Sequence, residues 1–152
     1  MASIPRPTDP PAAPASSGPV SVGAGASIRT GRMLLRPLVA TDREAFLHAF
    51  RRSLADLAAW LPVHEEGEGD EAYFERQVGL CARGDATGKA WRRVGVLPDG
   101  TVAGLFALNS ITRGLAWEAD AIWWVSSDRT GRGLATEGVR AMLAHAFEPL
   151  PA

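Results

Sequence analysis

The sequence predicts an α+β domain, and three observations carry that reading. Apolar residues recur at helical spacing through residues 45–83, then switch to the alternation of strands after residue 90. Two of these strands flank Pro98-Asp99-Gly100, a hairpin turn. A third strand runs into Gly131-Arg132-Gly133, and a fresh helical pattern follows at once.

Taken in order, residues 1–26 hold six of the eleven prolines, and the rest is largely Ala, Ser and Gly. Such a segment cannot bury enough apolar surface to offset its ordering entropy, so a disordered tail is expected, with the folded domain spanning residues 27–152. "IRTGRMLLRPL" reads as a first strand, with Met33 and Leu35 facing opposite Leu34. Thr41 followed by Glu44 has the spacing of a capping box. Ala45, Phe46, Ala49 and Phe50 then mark a helix whose phenylalanines pack in a core. A second short helix covers Leu54 to Trp60, ended by Pro62. "HEEGEGD" is an acidic, glycine-bearing loop. A third helix spans Asp70 to Arg83, with Gly84 expected as its left-handed C′ residue.

"AWRRVGVL" and "TVAGLFAL" form the hairpin, and "AWEADAIWWVS" is the next strand. There Glu118, Asp120, Ile122 and Trp124 share one face; Trp117, Ala119, Ala121 and Trp123 share the other. In the last helix Leu134, Ala135, Gly138, Val139, Met142 and Ala146 make an apolar stripe, with Glu137 and Arg140 outside it. No internal repeat is visible.

The chain of 152 residues suits one domain, and its net charge of −1 gives no footprint for nucleic acid. No apolar run approaches the roughly 18 residues of a membrane span, and no signal-peptide core is present, so a cytoplasmic protein is the default expectation. A single cysteine, Cys81, excludes an internal disulfide framework and reads as a small buried residue on a helix. His48, His64 and His145 lack metal-ligand spacing, so no metal is expected.

The glycine loop is the most informative stretch. The first N–H groups of a helix have no partner inside it, and the helix dipole adds positive potential there. Phosphates bind at such ends. Bare backbone at Gly131 and Gly133 lets one approach, and Arg129 and Arg132 add charge. No Lys-Ser/Thr follows, so this is not a Walker loop. Thr136 stands where a dinucleotide fingerprint needs its third glycine. By itself the pair of glycines is also compatible with a plain tight turn.

Thr130-Gly131-Arg132-Gly133-Leu134-Ala135, between a strand and a helix, resembles the Gln/Arg-x-x-Gly-x-Gly/Ala loop of the GNAT superfamily of acyl-CoA N-acyltransferases. Thr130 departs from the usual Gln or Arg. "GRGLATEGVRAMLAHAF", "RMLLRPL" and "LAAWLP" resemble the branch of RimJ/RimL-type ribosomal-protein N-terminal acetyltransferases. The resemblance covers residues 30–147. It implies a mixed, mostly antiparallel sheet with helices on both faces, acetyl-CoA as cosubstrate, and transfer of its acetyl group to a primary amine, an N-terminal α-amine of a protein or peptide in this branch. A non-catalytic acyl-CoA-binding or interaction domain, and a small-molecule amine acetyltransferase, stay open as alternatives.

The resemblance also implies site residues. Residues 130–135, with Arg129, would hold the CoA phosphates. The backbone of Trp123, Trp124 and Val125 would hold the pantetheine arm and polarise the thioester carbonyl. Asp120, five places before Val125, would assist deprotonation, with Glu118 on the same face as the alternative; a solvated or salt-bridged strand carboxylate accounts for either equally well. Trp60 would border the acceptor, although core packing serves it as well. Independently of the resemblance, Asn109 and Ser110 read as the end of their strand, placed to touch substrate. Glu65, Glu66, Glu68 and Asp70 suit a cationic amine, but a solvated loop is the simpler reading. Family members continue past the fourth helix with further strands and a tyrosine able to act as general acid. "FEPLPA" therefore reads as a fold cut short, Tyr73 lies in the wrong segment for that acid, and an open strand edge would favour self-association, a homodimer included.

Overall fold

Among the described residues five strands form one sheet in chain order, each antiparallel to the next: β1 (Ile28–Arg29), β2 (Leu34–Arg36), β3 (Trp91–Val96), β4 (Val102–Arg113) and β5 (Trp117–Val125). Three helices cover it: α1 (Arg43–Ala58), α2 (Asp70–Thr87) and α3 (Leu134–Ala146). The computed structural model describes residues 26–60 and 64–148. The proline-rich tail (apart from Ala26), Pro62 and residues 149–152 lie outside the described residues.

The period-2 pattern of the strands sorts side chains onto two cores. On one face, Val94, Val102, Leu105 and Trp124 pack with Phe46, Phe50 and Leu57 of α1 and Tyr73 and Phe74 of α2. On the other, Met33, Leu35, Phe106 and Leu108 pack with Leu134 and Met142 of α3. The helices therefore lie on both faces, and Met33 and Leu35 share a face as their spacing predicts. Phe46 and Phe50 are wholly buried. Each contributes about 1.5–3 kcal/mol by leaving water. Their rings join those of Tyr73 and Trp124, with Phe50 and Tyr73 stacked at 4.4 Å. Cys81 is buried, its Sγ–H donating to the Arg92 carbonyl, and burial pushes its thiol up, away from the thiolate a nucleophile needs.

Four local expectations change. The single first strand is two short ones, because Thr30 turns the chain: its N–H donates to the Met33 carbonyl at 2.8 Å, and its Oγ accepts the Met33 N–H at 2.9 Å. The start of α1 is organised by Asp42, and not by Thr41 and Glu44. The Asp42 carboxylate accepts the Val39 N–H at 2.9 Å and takes both guanidinium branches of Arg36 at 2.8 Å, a bidentate pair that Thr41 cannot make. The two helices expected over residues 45–60 are one, since no breaker interrupts residues 51–57 and Leu54 and Leu57 continue the apolar face. Helix α2 runs to Thr87, where Gly88, at φ +73°, caps it. Gly84 lies inside the helix, and glycine is needed there because a Cβ would come 2.6 Å from the Ala90 carbonyl oxygen.

Candidate active site

Strand β5 connects the two ends of the candidate site. At its C-terminal end the chain enters a turn, Ser127–Arg129, and then the glycine loop. Three neighbours hold this turn. Helix α1 supplies the buried Ser53, whose Oγ accepts the Ser127 N–H at 2.9 Å, and Asp56, which accepts from Ser127 Oγ at 2.6 Å. Strand β4 accepts the Ser126 N–H at the Ala103 carbonyl. Within the turn, Ser126 Oγ donates to Asp128 at 2.7 Å. That bond, helped by Arg52, holds the Asp128 carboxyl below the usual range against the opposition of desolvation.

The loop itself is left-handed at Gly131 (φ +78°) and at Gly133 (φ +80°), the latter capping α3. Side chains rarely adopt such angles, which is the local reason for both glycines. A Cβ built on Gly131 meets nothing within 4 Å. The first amide turned back into the helix is that of Glu137, which donates to the Gly133 carbonyl. Those of Leu134, Ala135 and Thr136 precede it and point out of the helix end. Leu134 is buried in the α3 core and anchors the first turn.

One of the two expected arginines lies elsewhere. Arg129 reaches the β3–β4 turn, donating to Thr101 Oγ at 3.2 Å, so its charge is drawn toward the hairpin. The guanidinium fixed against the loop is that of Arg32, from the β1–β2 turn, donating to the Arg132 carbonyl at 2.7 Å. Nothing local in the sequence signals this contact, which joins positions 100 residues apart.

At the other end of β5, Asp120 pairs in register with Asn109 of β4, on the face of Trp124 and helices α1 and α2. Asp120 and Glu118 are both exposed. Val125 lies five positions on from Asp120, about 17 Å of extended chain. Beyond Asn109 the pairing slips. Ser110 and Ile111 stand opposite the single residue between Asp120 and Glu118, and Ser110 sits at φ +54°. This is a β-bulge, a device often found beside active sites because it re-aims neighbouring side chains. Asn109 and Ser110 therefore do not end their strand, which continues to Arg113. Asn109 is already engaged, accepting from Arg92 at 2.7 Å, while Arg92 also donates to Gln77 of α2. Among the described residues β5 pairs with β4 alone, so its other edge presents backbone N–H and C=O groups. Trp124 is buried, whereas Trp123 is 44% exposed on the α3 face.

The sequence that carries this glycine loop and strand matches a known family. Residues 32–152 match the one described as "Acetyltransferase (GNAT) domain". The chain belongs to the GNAT acetyltransferases.

Solved structures similar to this GNAT domain include Mycobacterium smegmatis RimJ in complex with CoA-disulfide (25% identity, TM-score 0.71, 84% of this chain and 64% of that one). Another is the ribosomal-protein-S5-alanine acetyltransferase from Vibrio fischeri (19%, 0.69, 80% and 67%). A third is RimL, a ribosomal L7/L12 alpha-N-protein acetyltransferase in complex with coenzyme A (17%, 0.66, 79% and 67%). A search of curated proteins returns no match.

The remaining candidates fall away from the loop. Trp60, just past the end of the GNAT domain's α1, is 84% exposed. The acidic segment is largely neutralised from within. Glu68 pairs with Arg76 at 2.7 Å, and that bond pulls its carboxyl down to about 2. Asp70 pairs with Arg51 and His64. This favours the solvated-loop reading over attraction of a cationic amine. Tyr73 is buried between Phe50 and His64, and burial raises its hydroxyl pKa. No group of three or more His, Cys, Asp or Glu among the described residues could hold a metal, and no described helix is long and apolar enough to cross a membrane.

Proposed function

We propose that this GNAT domain transfers the acetyl group of acetyl-CoA to a protein or peptide N-terminal α-amine. The observation that carries the reading is the loop at residues 130–135: two left-handed glycines at the end of β5, opening α3, in a chain of this family. The residues present fit a diphosphate. The space at Gly131 is open, the amides of the first turn of α3 face outward, and Arg132 is cationic. The CoA-bound RimJ and RimL structures support the cosubstrate, and the ribosomal-protein acetyltransferases among the similar folds support the acceptor class.

In this reading the phosphates lie at Thr130–Ala135, and the thioester arm lies along the edge of β5 at Trp123–Val125. A backbone N–H of that edge donates to the carbonyl oxygen as negative charge develops on it. One such preorganised donor is worth about 3 kcal/mol. The neutral amine attacks the thioester carbon, a C–N bond forms, and the C–S bond breaks. The amine's extra proton passes through water to Asp120, or to Glu118 one step along the same face, and a proton returns to the departing thiolate. A protein α-amine has a pKa of about 8 against about 10.4 for lysine, so a weak base acting through water suffices.

Acetyl transfer from acetyl-CoA, measured over a panel of peptides and small amines with the full chain, tests the proposal. A clear preference for peptide α-amines is the expected result. A preference for polyamines would overturn the acceptor, and no CoA binding by calorimetry would overturn the function.

A further inference from the structure

The loop needs its peptide planes set as well as its glycines. Gly131 and Gly133 leave the chain between them freer than any other pair of residues would, and that freedom opposes a preformed cradle. In a trans peptide the C=O and the following N–H point in opposite directions. Whatever holds the Arg132 carbonyl therefore aims the Gly133 amide.

Arg32 holds it, with Nη1 2.7 Å from the carbonyl oxygen. Arg32 is itself held by Glu137, in the first turn of α3. The Glu137 carboxylate accepts from Arg32 Nε at 2.8 Å, from the Arg32 backbone N–H at 2.6 Å and from the Thr30 hydroxyl. A carboxylate so close to an anion site would repel a phosphate if left bare. Here three donors occupy its oxygens, one of them a guanidinium that cancels its charge. Desolvation opposes the ionised form, yet these bonds outweigh it and keep the carboxyl below its ordinary range. The pair is only partly exposed, at 49% and 18% of the two side chains, and Arg32 also crowds the face of Gly133, where a Cβ would lie 3.2 Å from Nη2.

We propose that Arg32 and Glu137 are positioning residues for the CoA phosphates, the β1–β2 turn acting as a clamp that fixes the Arg132–Gly133 peptide with its amide toward the anion. The inference rests on the acetyl-CoA reading of the loop and adds residues to it. It explains why an arginine in a turn that precedes β2 is tied to a helix at the far end of the chain.

The test uses the full chain and two ligands: CoA, and S-acetylpantetheine, which keeps the thioester arm and lacks the phosphates. Arg32→Ala should weaken CoA binding about tenfold by calorimetry, with the loss in turnover appearing in KM for acetyl-CoA rather than in kcat. Binding of S-acetylpantetheine should not change. Arg32→Lys keeps the charge but cannot bridge carboxylate and carbonyl in one plane, so it should not restore affinity. Glu137→Gln, the milder variant should Arg32→Ala fail to fold, should shift CoA affinity in the same direction by a smaller factor. Unchanged CoA affinity in Arg32→Ala would overturn the clamp. So would full rescue by lysine, or an equal loss for both ligands, which would mark a general structural role. A wild-type chain that binds no CoA would instead sink the reading on which the clamp rests.

Discussion

The two ends of β5 are built differently. Its C-terminal end is packed: Trp124 and Ser126 are buried, α1 grips the following turn through Ser53 and Asp56, and Arg32 and Glu137 grip the glycine loop. Its N-terminal end, Trp117 to Ala121, is exposed, and the carboxylates Glu118 and Asp120 stand in solvent beside the bulge at Ser110. One end has a geometry imposed by many contacts, as a cradle for a fixed anion requires. The other has few, and its chemistry depends on what is brought to it.

The largest expected effect breaks the packed end. A Cβ at Gly104 would lie 2.0 Å from the Trp124 carbonyl oxygen, with backbone that cannot swing aside. Gly104→Ala should therefore cost about 3 kcal/mol or more, seen as a sharp fall in Tm or loss of soluble protein. Trp117→Ala, at the open end, should stay within about 0.5 kcal/mol of the parent. Equal effects at the two sites would erase the contrast.

Next comes the chemistry of the open end. Asp120→Asn should lower kcat/KM about 100-fold, remove the acidic limb of the pH–rate profile and leave Tm unchanged. The same loss in Glu118→Gln, with Asp120→Asn unaffected, would move the base by two residues. Loss in neither would mean that the amine arrives already neutral.

Smaller again is the strain of a side chain in the cradle. Gly131→Val has room for its Cβ, yet holds a β-branched residue at φ +78°. About 1–2 kcal/mol of strain, or relaxation of the loop, should raise the Kd for CoA roughly tenfold, while pantetheine binding is unaffected.

The smallest effect lies away from β5. Glu68 titrates at about 2 in the folded chain, below its ordinary 4.5, because Arg76 binds it. A depressed carboxyl pKa adds stability above the unfolded value, and that stability is lost as pH falls through the folded one. Glu68→Gln should therefore flatten the acid side of the stability curve between about pH 4.5 and pH 2 and leave CoA affinity untouched. A change in CoA affinity would join the acidic loop to the site after all.

Much of the fold around the candidate site was legible because its signals are local. Left-handed glycines before a helix, a Pro-Asp-Gly turn and alternation along a strand each depend on neighbours within a few residues. The errors share the opposite cause. Gly84 looks like a helix cap until Ala90 is seen against it; Gly88 does the capping. Thr41 and Glu44 have capping-box spacing, but Arg36 gives Asp42 a stronger bond. Asn109 looks like the end of a strand because a bulge leaves no simple pattern. Arg129 lies nearer the loop in sequence than Arg32 does, yet it is Arg32 that touches it.

By itself, then, the order of residues determined the α+β class, the hairpin, the two faces of β5 and the glycine loop ahead of α3, since each follows from φ preference or from the period of apolar residues. Only the tertiary structure decided which groups hold the cradle. Ser53, Asp56, Thr30, Arg32 and Glu137 are polar residues whose local context reads as ordinary surface. Their roles come from hydrogen bonds across 71 to 107 positions of chain, and such a bond exists only once the sheet and its helices have brought both partners within reach.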